Sequence, residues 1–187
     1  MTIKQLSQIS IRLAQSQDRE KIIQLEKSAV RNLCQNSYDV AQIDVLTKNI
    51  HRLHFNDEII FVAEQNNSII GFASLLSYRH IVRTLHVEPK FIRQQISSQL
   101  LTAIEREAIK QRINILKVTS SLTQRAFYHS QGYQEIAVCN LGKMDILVPG
   151  IAMEKKLVPN RYNLLFKALS PIGLASIPNL LFLLLFL

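Results

Sequence analysis

Hydrophobic residues recur with two different periods along this 187-residue chain, and the two periods alternate as far as about residue 157. Residues 9–13 alternate apolar and polar side chains, as a half-buried strand does, whereas residues 22–33 place apolar side chains at the spacing of a helix. The predicted order is strand, helix, a less regular helix, three strands, helix, strand, short helix and two strands. This interleaving predicts an α/β fold.

The first predicted helix has one apolar face and one charged face. The apolar face consists of Ile22, Ile23, Leu25, Ala29, Val30 and Leu33. Lys21, Glu26, Lys27 and Arg31 fall between these positions, and we expect them to face solvent. A second helical region is predicted over Tyr38 to His54. Tyr38 itself has a packing interpretation, as a side chain that covers the core.

Two β-rich runs, Ile59 to Glu64 and Ile69 to Leu76, are separated by the polar sequence Gln65-Asn66-Asn67-Ser68. A short polar connection between two such runs predicts an antiparallel hairpin. Gly71 lies inside the second run and predicts a bulge or a close approach of two backbones.

The stretch from Leu85 to Ala108 predicts a strand that passes through a polar loop directly into an amphipathic helix. Pro89 ends the strand because proline has no N–H for a strand ladder. The apolar residues of the helix are Ile96, Leu100, Leu101, Ile104 and Ala108. Free N–H groups at the start of this helix, together with nearby Arg93, predict an anion site, and phosphate is its commonest occupant.

Two segments carry a resemblance to a known family. The sequence VEPKFIRQQISSQLLTAIE resembles the acetyl-CoA loop of the GNAT superfamily of N-acetyltransferases, and SLTQRAFYHSQGY resembles the second signature of that family. The similarity spans roughly Ile11 to Leu157. It implies a mixed, mostly antiparallel central sheet flanked by helices. It also implies a second interpretation of the region beginning at Tyr38, as one wall of the acceptor-substrate cleft. Three residues depart from the family pattern, because Ile92 replaces Arg or Gln while Gln95 and Ser97 replace the two loop glycines.

The resemblance also implies a cofactor site, with acetyl-CoA as co-substrate. Backbone groups of Leu85, His86 and Val87 would pair with the pantetheine arm where this strand separates from its neighbour. The pyrophosphate would bind the N–H groups of the loop and first helical turn, and Ser121 completes the predicted cofactor-binding set. The loop residues are Arg93, Gln94, Gln95, Ile96, Ser97 and Ser98.

Tyr128 occupies the position of the family's tyrosine general acid, in the context A-F-Y-x-x-x-G-Y. The alternative is that Phe127 and Tyr128 form a packing pair. No general base is evident, because Ile81 stands where many family members have a carboxylate. His80, His86 or a chain of water molecules could take that role. No metal site is predicted, and Cys34 and Cys139 are expected to be reduced thiols.

The chain is basic, with a formal net charge of +8, and it ends in a strongly apolar segment. Residues 168–187 contain no charged side chain, and this segment has the length of the ~20 apolar residues that cross a bilayer. Three residues interrupt the first half of this segment, namely Pro171, Gly173 and Pro178. We therefore divide the chain into a domain over residues 1–158 and a tail over residues 159–187.

The first interpretation of residues 164–187 is a membrane anchor that holds the domain on the cytoplasmic side, because basic residues lie between the domain and the tail. The alternatives are a tail packed on its own domain or on a partner, and a segment without a selected role. No secretory signal is visible at the start of the chain, which predicts a cytoplasmic protein.

Three functions stay open at this point. The first is an N-acetyltransferase that moves an acetyl group from acetyl-CoA to an amine by direct attack in a ternary complex. The second is a catalytically silent domain of the same fold that binds an acyl-CoA or a protein partner, and the loss of the loop glycines motivates it. The third, a nucleic-acid-binding module, rests on charge alone. We expect the first function and no nucleic acid, with an amine acceptor that the sequence does not specify.

Overall fold

The computed structural model of the protein describes residues 8–48, 50, 57–142 and 146–157. Strands and helices alternate through these residues in the order that the hydrophobic periods predict. The strands are β1 (Ser10–Leu13), β2 (Ile59–Gln65), β3 (Ser68–Leu76), β4 (Ile81–Val87), β5 (Ile115–Ser121), β6 (Gln134–Asn140) and β7 (Pro149–Lys156). The helices are α1 (Arg19–Leu33), α2 (Val40–Lys48), α3 (Ile96–Lys110) and α4 (Arg125–Ser130).

The strands form a single sheet in the order β1-β2-β3-β4-β5-β7-β6. Neighbouring strands are antiparallel except for β4 and β5, which run parallel because α3 connects them. The sheet is therefore mixed and mostly antiparallel, with helices on its faces, and the predicted fold class is confirmed.

The β2–β3 hairpin has the geometry that its polar connection predicts. Asn66 and Asn67 both have positive φ, at 51° and 60°, as the central residues of a type I′ turn do. Ala63 pairs with Gly71 while Glu64 pairs with Ile69, so the strand bulges next to Gly71. A Cβ on Gly71 would lie 3.1 Å from His86 O, so the predicted close backbone approach is also present.

The helices cover the two faces of the sheet with the apolar positions expected for them. The buried residues of α3 are Ile96, Leu100, Leu101, Ile104 and Ala108. They join the main core, in which each buried Leu or Ile contributes about 1.5–3 kcal/mol relative to exposure. On α1, Ile22, Leu25 and Ala29 are buried as predicted. Glu26 is buried as well, and its expected solvent exposure is wrong.

Tyr38 precedes α2 and belongs to the protein interior. Its hydroxyl donates to Pro149 O at 2.7 Å and accepts from Leu122 N at 2.8 Å. These two bonds tie the segment before α2 to β7 and to the loop after β5, which favours the packing interpretation. α2 itself ends at Lys48, and the last residues of the predicted helical region, 51–54, lie outside the described part of the chain.

The described part of the chain includes no helix with the length and apolar character needed to cross a bilayer. The tail at 159–187 lies outside the described residues, so the division of the chain and the membrane anchor stay predictions.

Candidate functional site

A gap between β4 and β5 creates the site. The two strands pair only where Ile81 meets Lys117 and Val82 meets Val118. On its other edge β4 stays paired with β3, although it bulges at Arg83, since Leu75 pairs with Val82 and Ser74 with Thr84. The bulge bends β4 away from β5, so the strands separate beyond Val82.

Backbone groups of β4 point into this gap. Glu88 N donates to Ile70 O on the β3 side at 2.9 Å. Because successive residues of a strand direct their N–H and C=O groups to opposite edges, Leu85 and Val87 face the gap, and His86 directs its backbone toward β3. Gln124 Nε2 donates to Leu85 O at 2.7 Å, which places a side-chain amide across the opening.

A first cavity, here called the α3-side cavity, has a volume of about 410 Å³ and lies where β4 leads into α3. The helix begins at Ile96 after Gln95, whose side chain makes no capping hydrogen bond. The N–H groups of the first helical turn therefore lack intrahelical acceptors and carry the positive end of the helix dipole. This combination makes an anion-binding site.

Two residues of the loop before α3 adopt the left-handed conformation without being glycine. Gln95 has φ 60° and Arg93 has φ 66°. The loop thus reaches a glycine-like backbone shape although Gln95 stands at the position of a family glycine. Arg93 is exposed and makes no ion pair with any residue that the structure describes, so its guanidinium is available to an anion.

Most of the predicted cofactor-binding residues line the α3-side cavity together. They are Leu85, His86, Val87, Arg93, Gln95, Ile96, Ser97 and Ser98. Gln94 is exposed and lines neither this cavity nor the next. Ser121 lines the second cavity, and its side chain accepts from Gln124 N at 3.3 Å. Ser121 thereby caps the turn that presents Gln124 to the gap.

The second cavity, the α1-side cavity, has a volume of about 360 Å³ and is lined by residues of α1 and of both strands that border the gap. It shares five residues with the first cavity, namely Leu33, Leu85, His86, Thr123 and Gln124. The two cavities therefore adjoin at the opening between β4 and β5. Its apolar wall comes from α1, α2 and the loops beside them and includes Ala29, Val30, Leu33, Leu46, Ile50 and Leu141.

Glu26 is the acidic residue that the sequence pattern placed on the wrong face. It lines the α1-side cavity and is 7% exposed. Burial raises the pKa of Glu26 to about 8, and the neighbouring positive charge of Arg83 opposes that rise. No described residue makes a hydrogen bond with Glu26 Oε2. A buried carboxyl with a pKa near neutrality and an open oxygen can accept a proton from a ligand.

His86 lies beside this carboxyl, with Nε2 3.7 Å from Glu26 Oε1. Burial lowers the pKa of His86 to about 4, so the ring is neutral at pH 7. A distance of 3.7 Å would permit an ion pair between the two groups. Burial, however, favours the neutral form of each group and has the larger effect. His80, the other histidine considered as a base, is exposed and lines neither cavity.

Tyr128 lines the α1-side cavity and is 1% exposed. Its ring packs edge-on against Phe127 and Tyr133 with centroids 5.2 and 5.3 Å away, so the ring is part of the core. Burial raises the pKa of Tyr128 above its ordinary value, which keeps the phenol protonated. Packing and a role as proton donor are therefore compatible in this residue.

Sequence reasoning missed Glu26, Arg83 and Gln124 as site residues. A signal for Glu26 was present, because it lies one residue from Leu25 and three from Ala29 and so borders the apolar face of α1. Arg83 and Gln124 gave no such signal, since a bulge and a turn place them. Among the described residues, no group of three or more His, Cys, Asp or Glu could hold a metal ion.

Residues 24–157 match the family model of the acetyltransferase (GNAT) domain. Among solved structures, a GCN5-related N-acetyltransferase from Rhodopseudomonas palustris is similar with a TM-score of 0.75 at 18% identity, over 81% of this chain and 97% of that one.

Two similar structures contain coenzyme A or its acetyl form. The PaiA N-acetyltransferase of Thermoplasma acidophilum, in complex with coenzyme A, has a TM-score of 0.63 at 21% identity, over 80% of this chain and 99% of that one. YncA of Salmonella typhimurium, with its cofactor acetyl-CoA, has a TM-score of 0.58 at 20% identity, over 82% and 96%. No curated protein sequence matches the chain.

Proposed function

Because the chain belongs to the GNAT family of acetyltransferases, we propose that it transfers the acetyl group of acetyl-CoA to an amine by direct attack in a ternary complex. The observation that carries this proposal is the pair of adjoining cavities at the β4–β5 gap. One has an uncapped helix start suited to phosphates, and the other has a buried carboxyl suited to an amine.

The α3-side cavity would hold the cofactor. Backbone N–H groups of Ile96, Ser97 and Ser98 would donate to the pyrophosphate, and Arg93 would add a charge-assisted contact. Leu85 and Val87, whose backbones face the gap, would pair with the pantetheine arm as a further strand does. Acetyl-CoA supplies the thioester, whose carbonyl carbon accepts the amine nitrogen while the bond to sulfur breaks.

The residues of the α1-side cavity would handle the protons. Glu26 would accept a proton from the amine, because only an unprotonated amine is nucleophilic. Tyr128 would donate its proton to the departing thiolate. Glu26 on α1 would thus serve as the base, a role that Ile81 on β4 cannot fill.

The left-handed conformation of Gln95 supports an active enzyme over a silent domain. Gln95 replaces a loop glycine of the family. This replacement would indicate lost cofactor binding if it had changed the backbone conformation of the loop. With φ at 60°, Gln95 instead holds the conformation that glycine favours.

Calorimetric titration of the full chain with acetyl-CoA, followed by assay of thiol release with a panel of amines, tests the proposal. We expect binding and turnover, and we expect Tyr128→Phe to bind acetyl-CoA normally while turnover falls by ~10²- to 10⁴-fold. Tyr133→Phe is the control, because it removes a hydroxyl from the same aromatic cluster at a residue that lines neither cavity. A wild-type protein that fails to bind acetyl-CoA would refute the proposed function.

The proposal includes a cytoplasmic location, with residues 164–187 anchoring the domain to the membrane. The apolar character of that segment supports it, along with the basic residues that precede it. We expect the full chain to sediment with membranes and to resist extraction by salt, because apolar insertion does not depend on ionic strength. Recovery of the full chain in the soluble fraction contradicts the anchor.

A further inference from the structure

The α1-side cavity combines an apolar wall with a single carboxylate. Glu26 is the only acidic residue among the described residues that line it. Leu46 of α2, Ile50 and Leu141 add apolar lining from three separate segments. A cavity of about 360 Å³ is near the lower end of the range for small-molecule sites.

The positive charge in the same cavity is already compensated. Arg83 lines the cavity, and its guanidinium forms an ion pair with Glu58, whose side chain is fully buried. A ligand carboxylate that approached Arg83 would have to compete with this pair.

From this arrangement we propose that the acceptor is a small monoamine, with one ammonium group on an apolar body and no carboxylate beside it. This inference rests on the proposed function and specifies its substrate class. The ammonium pairs with Glu26 and transfers its proton there, and the apolar body packs between α1 and Leu46.

Two classes of amine are disfavoured by the same physical argument. The second and third ammonium groups of a polyamine or an aminoglycoside would find no second carboxylate among the described residues that line the cavity, and a buried charge without a counter-ion is costly. An α-amino acid would bring its carboxylate next to Glu26, where two negative charges repel each other.

The test measures kcat/KM for acetyl transfer above pH 8, where Glu26 is ionised. The probes are phenethylamine, hexylamine, spermidine, kanamycin and phenylalanine. We expect phenethylamine and hexylamine to exceed the other three by at least about tenfold, as expected when a polar ligand group finds no partner. Phenylalanine is the matched control for phenethylamine, because the two differ only by the carboxylate.

A gain of function provides a second readout. Leu46 is half-buried and lines the cavity. Leu46→Glu therefore adds a second carboxylate to the cavity lining, and Leu46→Gln adds a side chain of the same shape without the charge. We expect Leu46→Glu to raise kcat/KM for spermidine by about tenfold and to lower it for hexylamine. We expect Leu46→Gln to lower the value for hexylamine without raising that for spermidine.

Each outcome decides the proposal. Spermidine, kanamycin or phenylalanine used as well as phenethylamine by the wild type would overturn the assignment, and so would an equal gain for spermidine in Leu46→Gln. Turnover of none of these amines by a protein that binds acetyl-CoA also overturns it. Failure to bind acetyl-CoA overturns the proposed function instead.

Discussion

The two cavities adjoin at the β4–β5 gap, yet they are built in opposite ways. The α3-side cavity comes largely from one continuous stretch, residues 85–98, and its anion site consists of the backbone N–H groups at the start of α3. The α1-side cavity draws on α1, α2, β4, β5, α4 and several loops, and its chemistry depends on side chains that distant parts of the sequence supply.

This difference predicts different sensitivity to substitution. A site made from N–H groups keeps its chemistry when side chains change, provided that the backbone keeps its course, and Gln95 shows such a substitution. A site that relies on one carboxylate loses its chemistry when that residue changes. Mutations should therefore have large effects on the α1 side and small effects on the α3 side.

The largest effect is expected from Glu26→Gln. Loss of the base should lower turnover by ~10²- to 10⁴-fold and leave acetyl-CoA affinity unchanged, because Glu26 is not among the residues that line the α3-side cavity. Wild-type kcat/KM should rise with pH through about 8 as Glu26 loses its proton, and the variant should lack this rise. This difference is measured by rate assays across pH in which both proteins use the same amine. The titration of the amine then affects both profiles equally.

Glu20→Gln is the matched control, because Glu20 is exposed on the same helix. It should keep both the rate and the pH profile of the wild type. An equal loss in the two variants would mean that the charge of α1, and not the base, was responsible.

An intermediate effect is expected on stability. The folded-state pKa of Glu26 is about 8 against an ordinary 4.5, so the folded protein binds more protons than the unfolded chain in that window, and stability falls as pH rises through it. The folded-state pKa of His86 is about 4 against an ordinary 6.5, so the unfolded chain binds more protons between these values and stability rises with pH. Below pH 6.5 the two groups change stability with pH in opposite directions. Between pH 6.5 and 8 only the contribution of Glu26 remains.

The free energy of unfolding should therefore fall between pH 6.5 and 8 by up to about 1.4 kcal/mol per pH unit, and Glu26→Gln should remove most of this fall. Urea unfolding at a series of pH values measures both proteins. A slope that persists in Glu26→Gln would assign the effect to another group.

The smallest effect is expected from Gln95→Gly. A left-handed non-glycine residue costs ~1–2 kcal/mol, and the extra freedom of glycine in the unfolded chain costs ~0.4–1 kcal/mol. Because Gln95 already holds φ 60° without a ligand, the relief should appear as a gain in stability of between about 0 and 1.6 kcal/mol, with little change in acetyl-CoA affinity.

Gln99→Gly tests the same argument in the opposite direction. Gln99 is exposed within α3, where glycine is destabilising by about 0.5–1 kcal/mol. Destabilisation by both substitutions would show that Gln95 carries no strain, and tighter acetyl-CoA binding by Gln95→Gly would show that its side chain obstructs the cofactor.

The sequence predicted what local patterns encode. Periodicity located the helices and strands, and the Asn66-Asn67 turn, the bulge beside Gly71 and the start of α3 all followed from residue chemistry. Glu26 was misplaced because a helix wheel separates charged from apolar residues and treats a charge at the border as exposed. The structure buries it because α1 passes over the open part of the sheet.

The gap also could not be derived from strand propensity. The buried residues Val82, Leu85 and Val87 depart from strict alternation by one residue, because three positions separate Val82 from Leu85. This irregularity marks the bulge, but nothing in it reveals that β5 leaves after two residue pairs. That separation depends on the bulge at Arg83, which the pairing with β3 determines.

The two edges of β4 differ in how they protect amide protons from exchange with solvent. His86 directs its amide toward β3, whereas Leu85 and Val87 direct theirs to an edge where β5 no longer pairs. Alternate amides along one strand of the central sheet should thus exchange with deuterium at very different rates. Rapid exchange at the centre of a sheet would ordinarily indicate instability, but here it marks an edge strand in the interior of the fold.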